Sequence, residues 1–355
     1  MASDQHDARR RTPVTIHDVA RDAGVSVGTV SKALNNQGQL RPDTRARVRA
    51  TAAILGFRPN DLAQSLHRKR SFTVGIITSD RFGRFSIPLL EGIEDALDPA
   101  RIAVFLCKPT DDPELERRHV ESLLAKRVDG IIVTSRRTDP RRPLELGGAS
   151  LPIVYAYAQS EDAAACLLPD DEGGGALAGV HFARLGRRRV AHITGPERFA
   201  AVRERRAGLT RALADAGLVL DPRLVLSGSW SEEWGREAAE RLLDGGLPFD
   251  AIFCGSDQIA RGVADTLRDR GVDVPEDVAI VGYDNWEIVA AATRPPLTTI
   301  DPCLDELGRL AATRLLRMID ADEEQGAAPT RVPCRLVVRA SCGAKTESKP
   351  AARAG

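Results

Sequence analysis

Apolar positions in the first sixty residues repeat with the period of a helix. Ile16, Val19, Ala20 and Ala23 share one face, Val27, Val30, Ala33 and Leu34 a second, and Val48, Ala52 and Leu55 a third. The ends are marked as well. Thr15 with Asp18 forms a capping-box pattern, Gly24 stands just past the first repeat, and Pro42 opens the third. The spacing predicts a three-helix headpiece over residues 13–59, joined by residues 60–71 to a different kind of chain. From Phe72 short continuous apolar runs take over: "TVGIIT", "IAVFLC", "GIIVTS", "IVYAYA", "RVAHIT", "LVLSGSW", "DAIFCGS" and "VAIVGYD". Helical patterns separate them, among them "IPLLEGIEDAL", which puts Ile87, Leu90, Ile93 and Leu97 on one face. Apolar strands alternating with helices predict an α/β body with parallel sheets covered on both faces. "VDGIIVTS" at 128–135 and "FDAIFCGSD" at 249–257 echo each other, so residues 72–342 are expected to form two similar lobes with a ligand between them. The small, polar residues 343–355 are expected to be disordered.

Composition sharpens this picture at two points. The chain has 355 residues, enough for two or three domains, and a net charge of zero. That zero is divided: residues 1–70 carry 13 Lys and Arg against 6 Asp and Glu, a balance of +7, and the rest carries −7. A basic segment among helical patterns points to an anionic partner for the headpiece alone. Six cysteines without a C-x-x-C pair, and an N-terminus without an apolar stretch, lead to the expectation of free thiols in a cytoplasmic protein. No apolar run reaches the ~18 residues of a membrane span.

Several motifs compete for chemistry. "AGVSVG" contains the G-x-S-x-G spacing of a nucleophilic serine, but that motif needs a strand before it. Here helical patterns lie on both sides, which makes Ser26 an N-cap and the layout a helix-turn-helix. "DDEGGGALAG" resembles a phosphate loop, yet it lacks the G-K-[ST] ending and follows three acids, so Gly173, Gly174, Gly175 and Gly179 are read as a flexible start to a helix. His181 and His192 are isolated, and neither a metal nor a cofactor is expected.

"VTIHDVARDAGVSVGTVSKALN", "TRARVRATAAILGFRPN" and "LAQSL", followed late in the chain by "GYDN" and "RPPLTTI", resemble the signatures of LacI/GalR-family transcriptional regulators across residues 13–342. The resemblance implies a helix-turn-helix headpiece, a hinge and a two-lobed body like that of periplasmic binding proteins. It implies palindromic operator DNA as one partner, a small-molecule effector of the carbohydrate class as another, and a homodimer. A heptad tail that would make a tetramer is absent. By the same resemblance the second helix enters the major groove. Val27 and Gly28 then occupy the base-reading positions, and Thr15, Ile16, Ser26, Thr29, Ser31, Lys32, Asn35 and Asn60 fall among the DNA contacts. Leu66 matches a leucine that wedges into the minor groove and bends the duplex. In the body, effector contacts map to Ser79, Tyr157, Arg203, Trp230, Ser256 and Asp284. Arg203 and Asp284 suit charge-assisted bonds to hydroxyls, and Trp230 suits stacking on a sugar face.

Two other classes share the two-lobed body. A sugar-binding protein of the periplasmic type needs a signal peptide and no basic headpiece. A sugar-processing enzyme needs a catalytic constellation, and the sequence offers none.

Overall fold

The computed structural model describes residues 14–34, 36, 38–57, 70–80, 83–109, 112–162, 165–320 and 329–344. The chain divides into two compact units, Met1–Ser71 and Phe72–Gly355.

The first unit holds three helices, Ile16–Asp22, Val27–Leu34 and Pro42–Leu55. Thr15 caps the first with the full reciprocal box to Asp18. Gly24 then turns the chain at φ +62°, a left-handed conformation that a side chain resists. The core is made of small residues: Val19, Ala20, Ala23, Val30, Ala33, Val48 and Ala52 are buried, with Ile16, Leu34, Leu55 and Phe57 packed around them. Such a core brings helices close but buries little area, so it contributes modest stability.

The second unit contains two six-stranded sheets. The first runs, edge to edge, Thr330–Val332, Ala165–Pro169, Ile153–Ala156, Gly130–Thr134, Thr73–Thr78 and Ala103–Cys107, all parallel. The second runs Arg335–Val337, Thr298–Asp301, Ala279–Tyr283, Ala251–Cys254, Val190–Thr194 and Val225–Ser227, with only Arg335–Val337 antiparallel. In each sheet the first strand in sequence lies between the second and the third. The strand order therefore reverses there, which opens a crevice at the carboxyl ends.

The chain passes between the lobes three times, after Pro169, after Asp301 and between Val332 and Arg335. The helix Leu304–Ile319 follows a strand of the second sheet but buries Leu307, Ala311 and Leu315 in the first lobe against Leu89, Ile93 and Leu97. The helix Ser86–Leu97 turns this Leu89 face inward, and Ile87 faces out, 56% exposed. The expected face was displaced because Leu89 and Leu90 are adjacent and either completes a helical repeat.

The glycine-rich segment differs from expectation more usefully. Gly173, Gly174, Gly175 and Gly179 lie inside the helix Asp171–Arg184, begun by an Asp170 side chain that accepts from the amide of Gly173 at 2.9 Å. A Cβ at Gly175 would collide with the carbonyl oxygen of Arg205, and one at Gly208 with that of Glu172. Gly173 and Gly174 abut Asp170 and Tyr283 instead, whereas Gly175 and Gly179 let this helix lie directly against the helix Ala200–Asp215. Their role is close packing of two backbones, not flexibility.

Candidate functional sites

In the headpiece the second helix, Val27–Leu34, holds five of the residues expected to contact DNA, Val27, Gly28, Thr29, Ser31 and Lys32. The Ser26 Oγ accepts from the amide of Thr29 at 3.1 Å and lies 2.9 Å from the Thr29 hydroxyl. That hydroxyl is committed to starting a helix, as a cap requires. Val30 and Ala33 face the core, which turns Gly28 and Lys32, one helical turn apart, to the outside. Val27, Thr29 and Ser31 are half-buried beside them. The Lys32 stem rests on Gly38, and Arg45 and Arg49 hold the Asn36 side-chain oxygen at 2.8 and 2.6 Å. The third helix therefore anchors the turn that follows the second. Thr15 stands exposed at the start of the first helix, next to half-buried Ile16, and its amide and hydroxyl hold the Asp18 carboxyl down at about 2. Asn35, Asn60 and Leu66 lie outside the described residues.

The body holds a cavity of about 670 Å³ between its lobes. Its walls come from loops at the carboxyl ends of the strands Thr73–Thr78, Gly130–Thr134 and Val190–Thr194, joined by residues from the 200–215, 257–269 and 284–286 segments. Five aromatic side chains line it, Phe85, Tyr157, Phe199, Trp230 and Trp286, out of only 15 in the chain. Phe85 stacks on Tyr157 with ring centroids 4.8 Å apart. Half-buried Trp230 lies across Gly195, where any Cβ would meet the indole ring, so the glycine makes room for a flat platform.

Polar groups divide the aromatic wall. Arg84 of the first lobe reaches over to the second, pairing with Asp284 at 2.9 Å and donating to the Gln258 side-chain oxygen at 2.8 Å. Asp139 of the first lobe accepts from the amide of Ala200, the first residue of a second-lobe helix, at 2.8 Å. Arg205 is fixed most completely. Its Nε donates to Asp171 at 2.7 Å, a terminal nitrogen donates to the Gly255 carbonyl at 2.7 Å, and its guanidinium lies 3.4 Å from the Tyr283 ring centre. The Tyr283 hydroxyl donates to the same Asp171 oxygen at 2.7 Å. Burial alone would weaken the charge on Arg205, but Asp171, together with Tyr283, Asp284 and Tyr157, outweighs it and raises the guanidinium well above its ordinary value. Burial pushes the Asp284 carboxyl up, with Arg84 and Arg205 pulling against it. Asp257, buried behind Asp284, is driven further, to about 8, while accepting from the Thr299 hydroxyl and the Trp286 amide. The latter bond holds Trp286 on the cavity wall.

Of the six residues expected there, Tyr157, Trp230 and Asp284 line the cavity. Ser256 does not. It is fully buried and caps the helix Asp257–Asp269, accepting from the Ile259 amide at 3.3 Å. Half-buried Ser79 sits behind the wall, its Oγ 3.4 Å from that of Ser135. Arg203 requires correction: it is exposed and folds back on the carbonyls of Glu197 and Arg198 at 3.2 and 2.6 Å. Two residues along a helix is a rotation of more than half a turn, so Arg205 faces inward where Arg203 faces out. A signal for this was present in "VRERRAGL". Val202, Arg205 and Leu209 share the buried phase of the helix, and an arginine in that phase needs a partner. Arg84, Phe85, Phe199 and Trp286 were missed as well, because they come from loops that have no periodicity.

Comparison with known proteins bears on both sites. Residues 15–60 match the bacterial regulatory proteins of the lacI family, and residues 180–342 match the periplasmic binding protein-like domain. Catabolite control protein A of Priestia megaterium is 32% identical over 330 residues, covering 92% of this chain and 99% of that protein. The chain belongs to the LacI family. Two solved LacI-type structures share its fold. A lac repressor dimer bound to operator and the anti-inducer ONPF is 28% identical, with TM-score 0.74 over 94% of this chain and all of that one. A complex of the regulator CelR with cellobiose is 30% identical, with TM-score 0.65 over 92% of this chain and 99% of that one. As a LacI-family member the chain is a helix-turn-helix transcriptional regulator with a two-lobed α/β body. Among the described residues no helix is long and apolar enough to cross a membrane.

Proposed function

We propose that this LacI-family regulator is a repressor whose grip on a palindromic operator is set by a carbohydrate held between its lobes. The observation that carries the reading is the cavity wall. Flat aromatic faces suit the C–H faces of sugars, and rigid charged groups between them suit their hydroxyls. The cellobiose complex of CelR supports the same class of ligand. Tyr157, Trp230, Asp284 and Arg205 are the contacts we assign to it, with Arg205 in place of Arg203. On the DNA side, Gly28 and Lys32 face the major groove with Val27, Thr29, Ser31 and Asn35 around them, and Thr15, Ile16 and Ser26 approach the backbone. Gly28 offers no side chain and Val27 only apolar contact, so Lys32 is the main hydrogen-bonding reader. Residues 13–59 act as headpiece and residues 60–71, with Asn60 and Leu66, as a hinge. Residues 72–342 serve as sensor and dimerisation domain, followed by a tail at 343–355. A dimer through the body is favoured by apolar side chains exposed there, Ile87, Val104 and Leu106 in the first lobe and Ile288 in the second.

The test is to select an operator from random duplexes with the full-length protein, then titrate it with and without a panel of mono- and disaccharides. Trp230→Ala should keep operator affinity and lose the sugar response. If Trp230→Ala responds to every sugar as the wild type does, the cleft is not the sensor.

A further inference from the structure

The charges lining the cleft do not balance. Five arginines, Arg84, Arg136, Arg137, Arg198 and Arg205, face three carboxylates, Asp80, Asp139 and Asp284. Two of the arginines are neutralised locally, Arg84 by Asp284 and Arg205 by Asp171. Of the other two carboxylates, Asp80 accepts from the amides of Phe85 and Ser86 and from the Ser86 hydroxyl, and Asp139 from the amide of Ala200. Arg137 of the first lobe and Arg198 of the second converge on one ring, with their guanidinium carbons 5.2 and 4.6 Å from the centre of Phe199. Among the described residues no carboxylate stands within ion-pair distance of either. Two like charges lie against one aromatic ring, and each raises the cost of the other.

The same place is electropositive for a second reason. The helix Ala200–Asp215 starts beside Phe199 with neither a side-chain cap from that residue nor an acid in its first turn. Its first amide, that of Ala200, donates to the Asp139 carboxylate across the cleft, and Ala201, the next residue, lines the cavity. Beside Asp139, Thr138 also lines the cavity; it is 4% exposed, and its hydroxyl has no partner among the described residues. A buried hydroxyl left without a partner is a polar group awaiting one.

We infer that the effector is acidic: a phosphate or carboxylate on the sugar sits between Arg137, Arg198 and the first turn of the helix Ala200–Asp215. The anion relieves the repulsion of the two arginines, bridges the lobes, and so ties charge recognition to cleft closure. This inference rests on the sugar-effector reading above and narrows its ligand class.

Calorimetry on the full-length protein with glucose, glucose 6-phosphate and glucuronate tests it, and comparison of the two acidic probes separates phosphate from carboxylate. At least one acidic probe should bind roughly tenfold or more tighter than glucose, the scale of a charge-assisted contact. Arg137→Ala and Arg198→Ala should each remove most of that preference, and Arg137→Lys should restore part of it. Both positions are exposed, so the variants should fold. If glucose binds as tightly as both acidic probes while Trp230→Ala abolishes binding, the cleft is a sugar sensor and the acidic inference is overturned. An acidic preference that survives both arginine substitutions overturns it too. If neither Trp230→Ala nor the arginine variants change any binding, the effector reading itself fails.

Discussion

The headpiece and the cleft carry recognition on opposite kinds of surface. In the headpiece the contacts assigned to DNA are small or flexible, and they stand on the outside of a thin core of alanine and valine. In the cleft the polar contacts are buried, charged and locked to one another. Arg205 alone is held by Asp171, the Gly255 carbonyl and the face of Tyr283. The contrast follows from the partner. A duplex brings its own charge and shape, and a protein face meets it with exposed donors. A small ligand has little binding energy to spend on ordering its site, so the site must be ordered in advance. Damage to the cleft should therefore register as instability of the fold, and damage to the headpiece mainly as lost affinity for DNA.

The largest expected effect tests the buried half of that contrast. Arg205→Ala strips Asp171, which is fully buried, of its counter-charge, leaving it only the Tyr283 hydroxyl and uncompensated charge. Breaking one side of a buried pair typically costs about 3–5 kcal/mol. Denaturant unfolding of the body should show a loss of that size. Arg203→Ala, two residues away and exposed, should show almost none. Equal losses in the two variants would mean that the cleft arginine is not a structural element.

A second test concerns how the body responds to acid. His192 is fully buried in the second sheet, stacked on Phe253 and hydrogen-bonded through Nδ1 to the Phe253 carbonyl, and burial lowers its pKa to about 4. The unfolded chain takes up a proton there near pH 6.5, whereas the folded chain resists until about pH 4. Stability is therefore lost as pH falls through that window, by about 3 kcal/mol at pH 4. Asp257 shifts the other way: with its folded pKa at about 8, above the unfolded value, it gives up stability as pH rises. The informative quantity is thus the difference between wild type and His192→Phe. It should widen in favour of the variant from pH 6.5 to pH 4. A constant difference across that range would show that His192 does not remain neutral in the fold.

These differences also explain what the sequence made legible. The headpiece could be read because its capping box, turn glycine and apolar repeats are local, and each helix announces its own ends. The eight apolar runs from "TVGIIT" to "VAIVGYD" each contain a strand of the body. "ACLLP" and "TTID" escaped because a proline ends one and threonines begin the other, yet both are buried strands. The cleft was only partly visible. Tyr157, Trp230 and Asp284 stand in recognisable motifs, whereas Arg84, Phe85 and Phe199 acquire meaning only when loops over 100 residues apart meet. Arg205 was hidden by its neighbours: three arginines in "RERR" look alike until the phase of the helix singles out one.

The smallest expected effect returns to the headpiece and to the serine of "GVSVG". If Ser26 is a cap and nothing more, its whole contribution is the bond from the Thr29 amide at 3.1 Å and the contact with the Thr29 hydroxyl. Ser26→Ala should then cost about 1 kcal/mol. That is small for the body but a sizeable share of what an alanine-rich three-helix core provides. Amide exchange in the full-length protein, followed over the Val27–Leu34 helix, should quicken by roughly fivefold for such a loss. Ser26→Asn retains a capping oxygen and should restore the wild-type rate. Ser26→Asp should restore it as well, since a negative charge favours a helix N-terminus. On operator DNA these two should part. The asparagine variant should keep near-native affinity, while the aspartate, placed beside the phosphates, should lose it with a marked dependence on salt. Should the aspartate bind as tightly as the asparagine, this end of the second helix does not approach the DNA backbone. Unchanged exchange in Ser26→Ala would deny the cap itself.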